Sequence, residues 1–144
     1  MTFLNEMKLS IAAQSRNEAF CRSVVGAFCT QLNPTLEQIE DVKTAVSEAV
    51  TNCVVHAYGG SQEGLVEIFC GLTEGGVVIE ITDFGKGIDD VDKAMQPFFT
   101  TSLGGERSGM GFTVMKAFAD EVSVESTKGK TTVKLVKNFS DKAD

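Results

Sequence analysis

The sequence has no run of about 18 apolar residues, so nothing in it offers a membrane-spanning helix. Its opening, "MTFLNEMKLS", carries an acid and weak alternation where an export signal has a basic start and an apolar run. A cytoplasmic protein is expected. The four cysteines, Cys21, Cys29, Cys53 and Cys70, lack the close paired spacing of a zinc site and sit among apolar neighbours. They read as buried free thiols. Basic residues number 13 against 20 acidic ones, a net charge of −7, and no basic patch is present. That balance opposes nucleic acid and anionic lipid, leaving a protein or a small molecule as the partner. Repeats, low-complexity runs and interdomain linkers are also missing, so residues 1–137 read as one domain and 138–144, "NFSDKAD", as a polar tail. A chain of 144 residues buries roughly two thirds of its unfolded surface, enough for a core without disulfides.

What is present is a series of changes in hydrophobic period. Residues 3–12 alternate, with Met7, Leu9 and Ile11 on one side, and predict a strand. "SRNE" from Ser15 has the capping-box form, and Phe20, Val24, Val25 and Phe28 follow at helical spacing to about Leu32. "NPTLEQ" restarts the chain with a threonine cap and Gln38 three residues on. Leu36, Ile39, Val42, Val46, Val50, Cys53 and Val54 then form one apolar stripe, predicting a long helix over 35–57. "GLVEIFCGL" and "GVVIEITDFG" are rich in β-branched residues and read as a hairpin across "TEGG". A short helix is expected from Asp89 to Met95, a polar loop over 96–109, and a third helix over "GFTVMKAFADE". "VSVEST" and "TTVKLVK" close the domain as a second hairpin, its turn "KGK" read as turn chemistry and not a phosphate patch.

On the long helix Glu48, Asn52 and His56 recur every four residues and share one face. Alone they describe a solvated polar flank. Two glycine-bearing loops change the balance: "DFGKG" (83–87) directly follows a predicted strand, and "GMGF" (109–112) opens the third helix, where unsatisfied amides attract phosphate.

With these motifs in order the chain resembles the GHKL, or Bergerat-fold, ATPases: "EAVTN" looks like the N box, "DFGKG" the first glycine box and "GMGF" the second. "SEAVTNCVVHAY", "QPFFTT" and "ERSGMGF" are most similar to the bacterial anti-sigma serine kinases, the sporulation branch in particular, over nearly the whole chain. The resemblance implies an α/β sandwich whose helices cover one face of a mixed, mostly antiparallel sheet.

It also implies roles. Asn52 would ligate Mg²⁺ through its amide oxygen, and Glu48, one turn earlier, would be the catalytic base. Arg107 would clamp developing phosphate charge. Asp83 would accept a hydrogen bond from the adenine amino group, with Gly85 and Gly87 letting the backbone approach the base. Thr131 matches the threonine supporting that contact, although Lys130 stands where the family commonly has glycine. The rest of the ATP or ADP site would come from Thr101 in the lid and from Arg107, Ser108, Gly109, Met110, Gly111 and Phe112. His56 reads as structural, capping carbonyls or packing beside Tyr58. Met95, Met110 and Met115 read as core fillers, and "DDVD" as a solvated helix start.

The resemblance implies a homodimeric protein serine kinase that inhibits a sigma factor and phosphorylates a serine of its anti-anti-sigma antagonist. Arg22, on the first helix, is the candidate partner contact. Two alternatives stay open: an ATP-gated sigma-binding module with little kinase activity, and the related stress-response anti-sigma kinase. A histidine-kinase catalytic half fits poorly, because the one histidine lies inside the presumed nucleotide box and no helical hairpin precedes it.

Overall fold

A computed structural model describes residues 2–57, 64–85, 87 and 111–139. Strand β1 (Asn5–Ala12) leads into α1 (Asn17–Cys29), which tightens into a 3-10 turn over Thr30–Leu32. Asn33, with φ 54, and Pro34 then stop the chain and redirect it into α2 (Leu36–Asn52). At the start of α2 the capping box predicted from sequence is complete: Gln38 N–H donates to Thr35 Oγ1 at 3.1 Å and Thr35 N–H to Gln38 Oε1 at 2.8 Å. Such a cap is worth about 1 kcal/mol. The helix continues beyond Asn52 as a π turn over Cys53–Ala57, so the predicted end is right but its last turn is wider.

Strands β2 (Leu65–Leu72) and β3 (Gly76–Asp83) form the expected hairpin. Helix α3 (Gly111–Phe118) and the hairpin β4 (Glu121–Thr127) and β5 (Lys130–Asn138) complete the described fold. The strand order is β1-β2-β3-β5-β4. Every pair among the described strands is antiparallel, in keeping with the mostly antiparallel sheet that was expected. Register follows the alternation of side chains: Val66, Ile68, Cys70, Leu72, Ile79, Ile81, Val133 and Leu135 are buried on one face with Cys21, Val25, Val42, Val46 and Val50 of the helices. The other face of the sheet carries Lys8, Glu67, Glu80 and Lys134, and the rings of Phe3 and Phe69 lie 5.4 Å apart, tilted at 60° to each other.

Three sequence expectations need correction. Ser15 does not cap α1: the N-cap is Arg16 without a side-chain bond, and Ser15 supplies only its carbonyl to Glu18 N–H. The Glu18 carboxylate is drawn elsewhere, accepting the Ser47 hydroxyl and pairing with Arg22 Nε at 3.3 Å. Phe20 and Leu36 are 52% and 76% exposed, because the inward stripe of α1 is Cys21, Val25 and Cys29, one position on from Phe20, and Leu36 is the outermost residue of α2. The predicted polar tail begins too early. Asn138 still belongs to β5, and Phe139 donates to Gly75 O at 2.6 Å and accepts from Gln38 Nε2 at 3.4 Å. Next to it Lys137 pairs with Asp41 at 3.1 Å, fastening β5 to α2.

Candidate functional site

The π turn after α2 lies against β3, which puts the end of the polar helix flank beside the end of the central hairpin. Two groups of predicted site residues meet there. In the first, Glu48 and Asn52 are both half-buried, one helical turn apart, and Glu48 Oε1 is withdrawn from solvent. Helix α3 packs on α2 through the fully buried Met115, and its first residue, Gly111, rests on the Asn52 amide. A β-carbon at Gly111 would stand 3.0 Å from Asn52 Oδ1 and 3.2 Å from Nδ2. The glycine is therefore what lets a helix start approach the amide, joining the motif on α2 to the one opening α3.

The second group sits at the end of the sheet. Asp83 closes β3 on its helix-covered face, directly opposite Thr131 of β5, and the two are the buried polar residues of the described chain, 5% and 4% exposed. Asp83 Oδ1 accepts the Gly85 N–H at 3.0 Å, an Asx-type turn that starts the glycine loop. Gly87 has φ 86, and a β-carbon there would meet the Thr127 carbonyl oxygen at 2.4 Å. Both its dihedral and its neighbour demand glycine. The loop is thus pressed onto the end of β4, where Ser126 Oγ lies 2.6 Å from Thr131 Oγ1.

Burial raises the Asp83 carboxyl above the usual carboxylate range, and hydrogen bonds from Gly85 N–H and the Cys53 thiol oppose that shift. Cys53 itself is pushed well up, first by burial and then by the Asp83 charge, so its proton stays on sulfur and is available to the acid. The other thiols follow the same logic, with burial taking Cys21 to about 11 and Cys29 to about 12. All four are free and buried, as the sequence suggested.

Of the predicted site residues the structure therefore brings Glu48, Asn52 and Gly111 together on α2 and α3, and Asp83, Gly85, Gly87 and Thr131 together at the sheet end. Phe112 is half-buried in α3, against the core. Thr101, Arg107, Ser108, Gly109 and Met110 lie outside the described residues, as do the expected helix from Asp89 and the loop over 96–109. The His56 backbone falls in the π turn, while its side chain is outside the description. Arg22 is partly exposed on α1 and held by Glu18. Sequence reasoning missed two contacts, Cys53 on Asp83 and Ser126 on Thr131. Counting back from the "KGK" turn, where Gly129 has φ 92, pairs Ser126 with Thr131 and was the available signal.

Among the described residues no cluster of three His, Cys, Asp or Glu side chains could hold a metal alone. One amide oxygen beside one carboxylate instead suits an ion that keeps its waters and draws most of its ligands from phosphate, which is the habit of Mg²⁺.

Residues 11–137 match the family model described as histidine kinase-like ATPase domain. The chain belongs to that family. Within this ATPase family it is 55% identical over 133 residues to the anti-sigma F factor of Caldanaerobacter subterraneus, covering 92% of each chain. It is 53% identical over 144 residues to that of Thermoanaerobacter sp. strain X514, covering 99% of this chain and 100% of the relative. Among solved structures it resembles the RsbU and RsbW domains of a Mycobacterium tuberculosis protein, with a TM-score of 0.69 at 18% identity, covering 94% of this chain and 32% of that one. The catalytic domain of the histidine kinase ThkA gives 0.60 at 14% identity, covering 96% and 97%. At those identities the structures speak for the fold alone, a mostly antiparallel sheet under helices.

Proposed function

We propose that this domain is an ATP-dependent protein serine kinase that also acts as an anti-sigma factor, binding a sigma factor and phosphorylating a serine of its anti-anti-sigma antagonist. The observation that carries the nucleotide reading is the convergence of Asp83, Thr131 and the positive-φ Gly87 at one corner of the sheet, next to the helix bearing Asn52 and Glu48. The relatives' description as anti-sigma F factors supports the partner reading. The sporulation setting, the homodimer and a cytoplasmic location belong to the same proposal.

Bound ATP supplies the transferable phosphoryl group, and Mg²⁺ neutralises charge on its phosphates. Asp83 accepts from the adenine amino group, a donor that guanine lacks at that position. Asn52 Oδ1 offers the metal a neutral oxygen, and Gly111 N–H faces the phosphates from a helix start. Glu48 accepts the proton of the incoming serine hydroxyl as its oxygen bonds to phosphorus and the bond to the ADP oxygen breaks. Catalysis by such a base is typically worth about 10²–10⁴-fold. Arg107 completes the charge clamp.

The test is transfer of labelled γ-phosphate from Mg-ATP to a cognate anti-anti-sigma protein by wild type and Glu48→Gln, beside a nucleotide-binding control. Labelling of serine by wild type alone, with both proteins binding ATP, supports the kinase. Binding without labelling by either protein identifies an ATP-gated binding module, and no adenine nucleotide binding overturns the site.

A further inference from the structure

We infer that Ser126 is a positioning residue for base recognition, fixing the direction of the Thr131 hydroxyl so that Thr131 donates to a ring nitrogen of adenine. The inference rests on the adenine reading of Asp83 and extends it to a residue with no assigned role.

The geometry is that of a relay. Ser126 Oγ and Thr131 Oγ1 are 2.6 Å apart, a short hydroxyl pair in which either oxygen is able to donate. Their strands hold them in register, Ser126 opposite Thr131 and Thr131 opposite Asp83, so the three lie in a row across β4, β5 and β3 on the helix-covered face. Gly87 closes the row from above: a β-carbon there would come within 3.4 Å of Ser126 Oγ.

A hydroxyl has one proton and two lone pairs. If Thr131 gives its proton to Ser126, it presents only lone pairs beside the Asp83 carboxylate, an edge with two acceptors. If Ser126 gives its proton to Thr131, the Thr131 hydrogen is released toward the site. Asp83 and Thr131 then form an acceptor followed by a donor. That order complements adenine, whose amino group donates beside an accepting N1. It mismatches guanine, which accepts at O6 and donates at N1. With both residues almost fully buried, a mismatched edge leaves polar atoms unpaired away from water, and that cost is what produces discrimination.

The test uses Ser126→Val and Ser126→Thr, which have the same branched shape and differ in the hydroxyl. Each is titrated with ADP and with 1-deaza-ADP, which lacks the N1 acceptor. Wild type and Ser126→Thr should bind 1-deaza-ADP about tenfold more weakly than ADP, whereas Ser126→Val should bind both alike, near the weaker level. A role confined to strand stability would lower both affinities together and leave their ratio intact. Ser126→Val that keeps the wild-type preference for ADP therefore overturns the relay. Asp83→Asn separates the two readings: loss of ADP binding there with an unchanged ratio in Ser126→Val rejects the relay alone, while undiminished ADP binding in Asp83→Asn rejects the adenine site beneath it.

Discussion

The two ends of the candidate site are built differently. At the sheet end, Asp83, Thr131 and Ser126 are placed by strand register, and Gly87 is locked by its dihedral and by the Thr127 carbonyl. At the helix end, Glu48 and Asn52 are side chains on α2, and their position depends on how closely α3 comes down at Gly111. Register tolerates no slip, since a shift of one residue would turn Asp83 out of the core, whereas a helix start is able to move by fractions of an ångström. The contrast suits a fixed seat for the base and an adjustable one for phosphate and metal. Damage at the sheet end should remove binding, and damage at the helix end should remove transfer.

That division is sharpest at Glu48. Glu48→Gln should lower phosphoryl transfer by about 10²–10⁴-fold in a labelled-ATP assay while the ADP dissociation constant stays within about twofold. Parallel loss of both would erase the distinction between the ends. Gly111→Ala comes next: its methyl group would press on the Asn52 amide and shift it by a few tenths of an ångström, which should lower transfer by less than the about 10²-fold that a full 1 Å misplacement costs. ADP binding measured without magnesium should change little, so a large loss there would show that α3 serves the base as well.

At the sheet end the effects are smaller and fall on affinity. Cys53→Ala removes one of the donors to Asp83 and should weaken ADP binding by about two- to tenfold in calorimetry, with Cys53→Ser restoring it. The smallest effect is on pH dependence. Because the Asp83 carboxyl is raised in the folded protein above its ordinary value of 3.8, the native state binds more protons than the unfolded chain between those two values. Asp83 therefore lowers stability as pH rises through that window, while ADP binding, which needs the ionised acid, improves in the same direction. Thermal melts and ADP titrations of wild type against Asp83→Asn should show these opposite slopes in the difference. Slopes of the same sign would contradict the assignment.

Much of this arrangement was legible in the sequence, for physical reasons that can be named. The Thr35 to Gln38 box works because both partners are local and nothing competes for them. The same pattern at Ser15 fails because Glu18 has better partners in Ser47 and Arg22, the first 29 residues away in sequence. Strand alternation gave the hairpins, and "DFGKG" gave the turn that follows β3. The close approach of Gly111 to Asn52 was invisible, since it depends on the packing of two helices. The widening of α2 at Cys53 was hidden as well, because an apolar stripe reads the same through an α or a π turn. Thr131 was the residue the sequence supported least, with Lys130 in place of glycine, yet register sets it directly across from Asp83.

The most direct measurement is calorimetric titration of ADP and GDP into wild type and Asp83→Asn. The account predicts that wild type binds ADP far more tightly than GDP and that Asp83→Asn loses about 10- to 150-fold of ADP affinity, the worth of a hydrogen bond to a charged group. Equal affinity of wild type for the two nucleotides, or ADP binding in Asp83→Asn as tight as in wild type, would contradict it.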